Sequence, residues 1–201
     1  MIAIIDYGLG NLASVANALK KLEIPYVISS DPEALKNSTA LLLPGVGAAG
    51  QGIKNLKKLK LDNVIVEEVK KGKPLLGICL GMQLLFEKSE EGNTECLGLI
   101  KGKVRKFKIR LKIPQIGWNQ VENSEKSKLL KDIKNKDYFY FVNSYYCDPD
   151  NKKYIVGTTQ YENEFCSVIE YKNIFGTQFH PEKSGESGLK LLKNFWEVAC
   201  K

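Results

Sequence analysis

The most constraining feature of the sequence is a short apolar run, residues 74–78, that ends at Cys79 and is followed at once by a helix-forming run, residues 80–86. Gly77 and Gly81 lie two residues before and two after the cysteine, which is the spacing of a nucleophile elbow with sulfur in place of the serine oxygen. Small residues are needed there because strand, turn and helix crowd together around the nucleophile. The segment therefore predicts a strand–turn–helix unit with Cys79 at the turn.

Cys79 itself allows two interpretations. A free cysteine in a buried strand is most often a small hydrophobic side chain and nothing more. At the first turn of a helix, however, the positive end of the helix dipole and the free N–H groups favour the thiolate, which is the form that attacks. The two flanking glycines and the abrupt change from strand to helix favour the nucleophile, which then needs a base from elsewhere in the chain.

The first half of the chain alternates strand and helix patterns. Strands are predicted over 2–5, 26–29 and 40–43 and at the elbow, with helices over 12–22, from 32, over 51–58 and 62–71, and from the elbow to about Gly92. Such alternation predicts a mainly parallel sheet with helices on both faces.

From Leu97 onward the pattern changes to short strands, with tight turns predicted at Asn163–Glu164 and Lys172–Asn173 and a last helix over 185–199. The predicted strands are 100–109, 113–122, 138–146, 155–160, 165–171 and 174–179. The predicted fold class is therefore α/β, a flavodoxin-like open mixed sheet that is mainly parallel in its N-terminal half and antiparallel in its C-terminal half. We expect one domain, residues 1–201.

Three segments rich in small residues follow predicted parallel strands: the turn 8–11, the loop 44–50 and the elbow at Cys79. Ligands of open α/β sheets lie beyond the carboxyl ends of the strands, so we expect these segments to form one site. The Gly-x-Gly of the first turn lacks the third glycine and the acidic partner of a dinucleotide fingerprint, which argues against a bound dinucleotide.

The charge of the chain, +7 from 30 Lys and Arg against 23 Asp and Glu, is densest over residues 101–112. Charged and apolar residues alternate there, which predicts a strand with one solvated face. A nucleic-acid partner is not expected because neither a recognition motif nor stacking aromatic residues accompany the charge.

The five cysteines are scattered and show no Cys-x-x-Cys spacing, which favours a reducing cytoplasm and argues against a zinc site or a disulfide framework. No apolar run approaches the ~20 residues of a membrane span, and the N-terminus reads as a strand, not as a signal peptide. We expect no metal, no cofactor and no membrane association.

The chain contains one histidine, His180, so a cysteine nucleophile has a single candidate base. It follows the last predicted strand and precedes Pro181, which favours an extended backbone at His180. In an extended chain, residues two apart point the same way, so Glu182 is expected beside the imidazole, where it would set the tautomer and stabilise the imidazolium. A lone histidine in a sheet is more often structural, but these three features together favour catalysis.

Gly77–Gln83 and His180–Glu182 together resemble the class I (triad) glutamine amidotransferase family. Further segments resemble, within it, the glutaminase subunits of imidazole glycerol phosphate synthases; they are Asp6–Asn11, Pro44–Gly47, Ile116–Asn119 and Phe179–Ser184. The resemblance spans essentially the whole chain. It implies an enzyme that hydrolyses glutamine and supplies ammonia to a (β/α)₈-barrel synthase subunit of histidine biosynthesis.

The resemblance also implies residue roles. Cys79 would be the nucleophile, His180 the general base and acid, and Glu182 the orienting carboxylate. The remaining assignments are an oxyanion hole from Leu80 with Val46 and Gly47, glutamine binding by Gln83, Ser144 and Tyr145, and partner contacts by Asn11, Trp118 and Lys183.

One position departs from the pattern. The family often has histidine before its Ser/Thr-Tyr pair, where this chain has Asn143 before Ser144 and Tyr145. Asn143 cannot titrate, so we expect a structural role for it, and coupling to the partner could differ.

Other functions stay open at this point. A paralogous glutaminase could supply a different synthase, for example one that amidinates a nucleotide-linked sugar. A regulatory module with an inert cysteine, a peptidase or a γ-glutamyl hydrolase is less consistent with the complete set of motifs.

Overall fold

The computed structural model describes residues 1–124 and 126–200. Its strands are β1 Ile2–Ile5, β2 Tyr26–Ser29, β3 Ala40–Gly45, β4 Leu75–Cys79, β5 Phe86–Ser89, β6 Thr94–Glu95, β7 Ile100–Lys106, β8 Gln115–Asn123, β9 Asp137–Asn143, β10 Tyr145–Pro149, β11 Ile155–Tyr161, β12 Asn163–Tyr171 and β13 Ile174–Thr177. Its α-helices are α1 Leu12–Lys21, α2 Pro32–Lys36, α3 Ala49–Lys58, α4 Leu61–Lys70, α5 Leu80–Gln83 and α6 Gly185–Ala199.

The centre of the sheet is parallel, in the order β2-β1-β3-β4-β13. The first four strands have the order of a flavodoxin-like sheet. From β13 the sheet continues through antiparallel pairs to β12, β10 and β7, and a further antiparallel group, β11, β8 and β9, branches from β12. The predicted fold class, an open mixed sheet with a parallel N-terminal half, is confirmed.

Helices cover both faces of this sheet, as predicted. Along β1, Ile2 and Ile4 pack into one core with α1 and α6, whereas Ala3 and Ile5 pack into a second core with α2, α3 and α4. All four side chains are fully buried. Successive strand residues point to opposite faces, so an uninterrupted apolar strand requires a layer of helices on each side.

The predicted helix from the elbow to Gly92 is wrong. Helix α5 has four residues, and the chain then forms β5, which pairs in parallel with β7. Leu84, Leu85, Phe86 and Ser89 are all fully buried, and no single face of a helix would bury this set. The segment after α5 therefore forms a strand, and its backbone pairs with the free edge of β7.

Two other differences concern the antiparallel half. The predicted strand 138–146 is divided at Ser144 into β9 and β10. The turn between β11 and β12 lies at Glu162, whose φ is +59°, and not at Asn163–Glu164. The predicted turn at Lys172–Asn173 is confirmed, since Tyr171 pairs with Ile174 across it.

Residues 101–106 of the basic segment lie in β7, in which Lys101, Lys103 and Arg105 are exposed and Ile100 and Val104 are buried. The prediction of a strand with one solvated face is confirmed for this part and is wrong for residues 107–112, which form no strand. Among residues 1–124 and 126–200, no helix is both long enough and apolar enough to cross a bilayer.

Candidate active site

Cys79 is the last residue of β4 and the residue that precedes α5. Its backbone lies at φ 54° and ψ −111°, a region that residues with a side chain seldom adopt. It pairs in register with Gly45 on β3, and its side chain is 7% exposed. The chain therefore turns sharply at the cysteine and places the sulfur at the carboxyl edge of the parallel sheet.

The packing at this turn explains both flanking glycines. A Cβ on Gly77 would lie 2.7 Å from the backbone nitrogen of Met82, and a Cβ on Gly81 would overlap the carbonyl oxygen of Leu43. These neighbours are backbone atoms of β3 and α5, which cannot move aside like a flexible side chain. The glycines thus allow the turn at Cys79 to pack against the adjacent strand.

The expectation that a helix dipole activates Cys79 is not supported, because α5 has only four residues. The aligned peptide dipoles of such a turn sum to little.

His180 follows β13 and is held by its neighbours in the chain. Its backbone nitrogen donates to Tyr140 O at 2.9 Å, and the preceding Phe179 ring stacks on Phe139 at a centroid distance of 4.1 Å. The imidazole Nδ1 lies 2.8 Å from Oε1 of Glu182. The side chains of His180 and Glu182 are 4% and 1% exposed, so the pair is buried.

Glu182 reaches the imidazole by a different route from the expected one. His180 is extended, at φ −97° and ψ 95°, but residues Pro181–Lys183 then form one turn of 3₁₀-helix. The hydroxyl of Ser184 donates to His180 O at 2.6 Å and closes this turn. The carboxylate is therefore folded back against the ring.

The charges around His180 favour imidazolium. Burial lowers the pKa of His180, but hydrogen bonds to Cys79 and Glu182 and their negative charges outweigh it and raise the pKa to about 10. The imidazole and the Cys79 sulfur border the same cavity. Burial, assisted by the charge at Cys79, also raises the pKa of Tyr7, whose buried hydroxyl has no hydrogen-bond partner among residues 1–124 and 126–200. The arrangement suits a thiolate–imidazolium pair.

A cavity of about 320 Å³ opens at the sulfur, a volume within the usual range for small-ligand sites. Its lining includes nine of the residues assigned a role from the sequence: Val46, Gly47, Cys79, Leu80, Gln83, Ser144, Tyr145, His180 and Lys183. Glu182 lies behind the imidazole, and Asn11 and Trp118 lie outside the cavity.

The Gln83 side chain is fixed by two acceptors. Its Nε2 donates to Tyr145 O at 3.3 Å and to Gln178 Oε1 at 3.1 Å. Asn143 is held in a similar way, since its Nδ2 donates to the same Tyr145 carbonyl at 3.0 Å. The Asn143 contact spans the break between β9 and β10, in agreement with the structural role expected for this residue.

Two residues of the site were missed by the sequence interpretation. Glu91 lines the cavity, and its carboxylate accepts from the Ala49 backbone nitrogen at 2.7 Å, at the start of α3. Gln178, two residues before His180, directs its amide at Cys79. The incorrect long helix hid Glu91, while the spacing of two from His180 was a usable signal for Gln178.

The residues assigned to a partner surface lie on three elements: β8, the Pro181–Lys183 turn and the start of α1. Trp118 on β8 is 56% exposed and meets Tyr140 edge-on at 6.0 Å, and the Lys183 ammonium lies 5.9 Å from the centroid of the same Tyr140 ring. Asn11 instead precedes α1, and its side chain accepts from Ser14 N at 3.3 Å. Helix α1 packs against the Pro181–Lys183 turn, which brings both elements to the same edge.

The comparison with known proteins identifies the class. The model of the family described as glutamine amidotransferase class-I matches residues 3–198, and the chain therefore belongs to that family. The fold agrees: the structure superposes on a crystal structure of a glutamine amidotransferase with TM-score 0.80 at 17% identity over 100% of both chains. It also superposes on PurLQS from Thermotoga maritima with TM-score 0.74 at 18% identity over 98% and 97%.

Relatives of higher identity define the branch of this family. The imidazole glycerol phosphate synthase subunit HisH 2 of Methanococcus maripaludis is 50% identical over 99% of this chain and 100% of its own. Subunit HisH of Caldanaerobacter subterraneus is 51% identical over 98% of each chain, and that of Dehalococcoides mccartyi is 47% identical over 99% and 98%. The chain belongs with these HisH proteins.

Within residues 1–124 and 126–200, no group of three or more His, Cys, Asp or Glu side chains is arranged to hold a metal ion.

Proposed function

We propose that this chain is the glutaminase subunit of an imidazole glycerol phosphate synthase. It hydrolyses glutamine to glutamate and ammonia and supplies the ammonia to a (β/α)₈-barrel subunit that forms imidazole glycerol phosphate and AICAR in histidine biosynthesis. The observation that carries the proposal is the buried series of Cys79, His180 and Glu182 at the base of a ligand-sized cavity. The names of the relatives at about 50% identity support the acceptor.

The chemistry follows from this series. The Cys79 thiolate attacks the carboxamide carbon of glutamine, and the carbonyl becomes a tetrahedral oxyanion. The His180 imidazolium protonates the departing nitrogen, which leaves as ammonia, and a glutamyl thioester remains. Neutral His180 then takes a proton from water as the water oxygen attacks the thioester carbon. Collapse of this second tetrahedral intermediate breaks the C–S bond and expels the Cys79 thiolate, which restores the thiolate–imidazolium pair, and the released acid ionises to glutamate in solution. Glu182 stabilises the imidazolium throughout.

The oxyanion needs donors beside the sulfur. The backbone N–H of Leu80 follows the nucleophile directly, and the Val46–Gly47 segment borders the same cavity, with Gly47 at φ +93°. One donor of this kind contributes ~3 kcal/mol to lowering the barrier.

Binding of the amino-acid end of glutamine uses the far side of the cavity. Gln83, Ser144 and Tyr145 border it and supply polar groups. Glu91 adds a carboxylate there, which suits the α-ammonium group of the substrate. A carboxylate in this position also favours an amino-acid amide over a simple amide.

A synthase partner fits the outward face of β8 and β9. Large apolar side chains are exposed along it: Ile116 at 61%, Trp118 at 56%, Tyr138 at 53% and Val142 at 37%. Such a contiguous apolar face is typical of a protein interface. It adjoins the site, since Val142 borders the cavity and its carbonyl lies 3.7 Å from the Cys79 sulfur. A partner seated here, contacting Trp118, Lys183 and Asn11, would receive ammonia without passage through bulk water.

The alternative, a paralogous glutaminase that supplies another synthase, is less well supported. The three HisH relatives described above, at 47–51% identity, are all named as imidazole glycerol phosphate synthase subunits. Glutamate release measured with and without each candidate barrel subunit separates the two acceptors.

Replacement of the nucleophile tests the proposal. Cys79→Ala, assayed with the barrel subunit, is expected to abolish glutamine-dependent synthesis while synthesis from added ammonium salt continues. Cys200→Ala, which removes an exposed thiol at the end of α6, is the control and should behave as wild type. Glutamate release by Cys79→Ala would overturn the assignment of the nucleophile.

The proposed partner surface on β8 and β9 is tested separately by Lys183→Ala and Trp118→Ala. Each is expected to weaken complex formation and partner stimulation, with Lys193→Ala on the exposed side of α6 as the control. If titration with the barrel subunit gave the same binding and stimulation curves for both variants as for wild type, this face would not be the docking surface.

A further inference from the structure

Gln178 is a fully buried amide between two residues of the site. It follows β13, and its backbone nitrogen donates to Ser167 O at 2.9 Å. Its Oε1 accepts from Gln83 Nε2 at 3.1 Å, and its Nε2 lies 3.8 Å from the sulfur of Cys79. The side chain therefore connects the helix after the nucleophile to the nucleophile itself.

The direction of this amide follows from its neighbours. The carbonyl of Tyr145 can only accept, so Gln83 must present its NH₂ group there. The same NH₂ group also faces the side chain of Gln178, so the atom of Gln178 that accepts this hydrogen bond must be its amide oxygen. The nitrogen of Gln178 is then left facing Cys79, where it can only donate.

We propose that Gln178 is a further residue of the site, which donates a hydrogen bond to the Cys79 thiolate and fixes the sulfur for attack. A donor favours the charged form of its acceptor over the neutral form, so the contact is stronger to thiolate than to thiol. It stands two residues before His180, so one chain segment supplies both the amide and the imidazole beside the sulfur, while the Val142 carbonyl approaches the sulfur from β9. The proposal deepens the proposed function and rests on it for the role of Cys79.

One titratable group near the sulfur, His180, follows Gln178 in the same segment, with Glu182 behind it, whereas Tyr7 after β1 and Cys147 on β10 lie on other elements. Glu91 and Lys183 border the same cavity. A substitution of Gln178 alone changes none of these side chains. An altered reactivity of Cys79 in a Gln178 variant that keeps its fold is therefore assigned to the lost amide contact.

The test is alkylation of Cys79 by iodoacetamide as a function of pH, in the full chain without glutamine or partner. Gln178→Met keeps the approximate volume and removes the donor, and it is expected to slow alkylation at pH 7 by about tenfold, the effect of one charge-assisted hydrogen bond. Its reaction profile should move to higher pH. Gln115→Met is the matched control, since Gln115 is also buried, on β8, and is expected to leave the profile unchanged. Far-UV circular dichroism and thermal melting verify the fold of each variant.

A Gln178→Met profile that superimposes on that of wild type would overturn the proposal. This readout needs no glutaminase activity, so it is separate from failure of the proposed function. The unmodified protein supplies a second measurement if the variant does not fold: the side-chain amide resonances of Gln178 should titrate with pH in wild type and not in Cys79→Ala. Equal behaviour in the two proteins would likewise reject the contact.

Discussion

Nδ1 of His180 lies 2.8 Å from Oε1 of Glu182, and the two side chains are only 4% and 1% exposed. Because Nδ1 is occupied by the carboxylate, the other ring nitrogen is left for Cys79, with which the imidazole also interacts. This buried contact thus orients the imidazole of His180 and, together with Cys79, favours its charged form.

Loss of the carboxylate charge at Glu182 should impair catalysis even when the shape of the side chain is nearly unchanged. Glu182→Gln is expected to lower kcat for glutamine hydrolysis roughly 10³-fold, because the imidazolium loses its stabilising partner and the amide can select the wrong tautomer. Steady-state glutamate release with the partner present measures the effect. Glu67→Gln on α4, an exposed carboxylate, is the control; a fall of less than threefold at Glu182 would contradict the orienting role.

The same contact predicts a pH dependence of stability. The pKa of His180 is raised to about 10 in the folded protein, above ~6.5 in an unfolded chain, so its stabilising contribution is complete below about pH 6.5 and is lost as the pH rises through 10. The free energy of unfolding of wild type minus that of Glu182→Gln, measured by urea titration, should therefore shrink from pH 6.5 to pH 10. A difference that is constant or grows over this window would show that the carboxylate does not raise the pKa of His180.

A side chain at the second elbow glycine should destabilise the fold. In Gly81→Ala the added methyl overlaps the carbonyl of Leu43, and overpacking of this kind costs about 3 kcal/mol. Gly50→Ala is the matched control: Gly50 lies in α3, where the nearest atom to a Cβ is 3.4 Å away, and alanine favours helix, so its stability should stay equal or rise. Chemical denaturation compares the two, and equal midpoints would refute the packing account.

Removal of the buried hydroxyl of Tyr7 should not destabilise the protein. In the part of the chain that the structure describes, that hydroxyl has no hydrogen-bond partner, so Tyr7→Phe is expected to leave the free energy of unfolding unchanged or to raise it by about 1 kcal/mol. Tyr161→Phe supplies the contrast, because its hydroxyl donates to Lys112 O at 2.8 Å and its loss should cost about 1 kcal/mol. If Tyr7→Phe were the more destabilising change, the hydroxyl would have to be bonded in solution.

Local patterns predicted much of this protein. The run of apolar residues into Cys79, the glycines on either side and the single histidine before a proline and a glutamate were enough to propose the triad. The parallel half of the sheet followed from the alternation of strand and helix. These features are local because they depend on backbone freedom, side-chain periodicity and the residue types that one reaction needs.

Other features depended on contacts between segments far apart in the chain. Helix α5 stops after four residues because β7, which begins at Ile100, offers an edge to the backbone that follows it. Because α5 ends at Gln83, the chain that follows it also places Glu91 at the cavity. No local pattern around residues 84–91 contains this information.

The sequence by itself determined which atoms could perform the chemistry: one sulfur on a tight turn, one imidazole and one carboxylate near it in the chain. Only the tertiary structure decided which neighbours surround them, since Gln178 meets Cys79 across 99 positions and Gln83 meets Tyr145 across 62. Residue types and their local spacing can be read from the sequence, whereas the burial and direction of a polar group depend on every strand that packs around it.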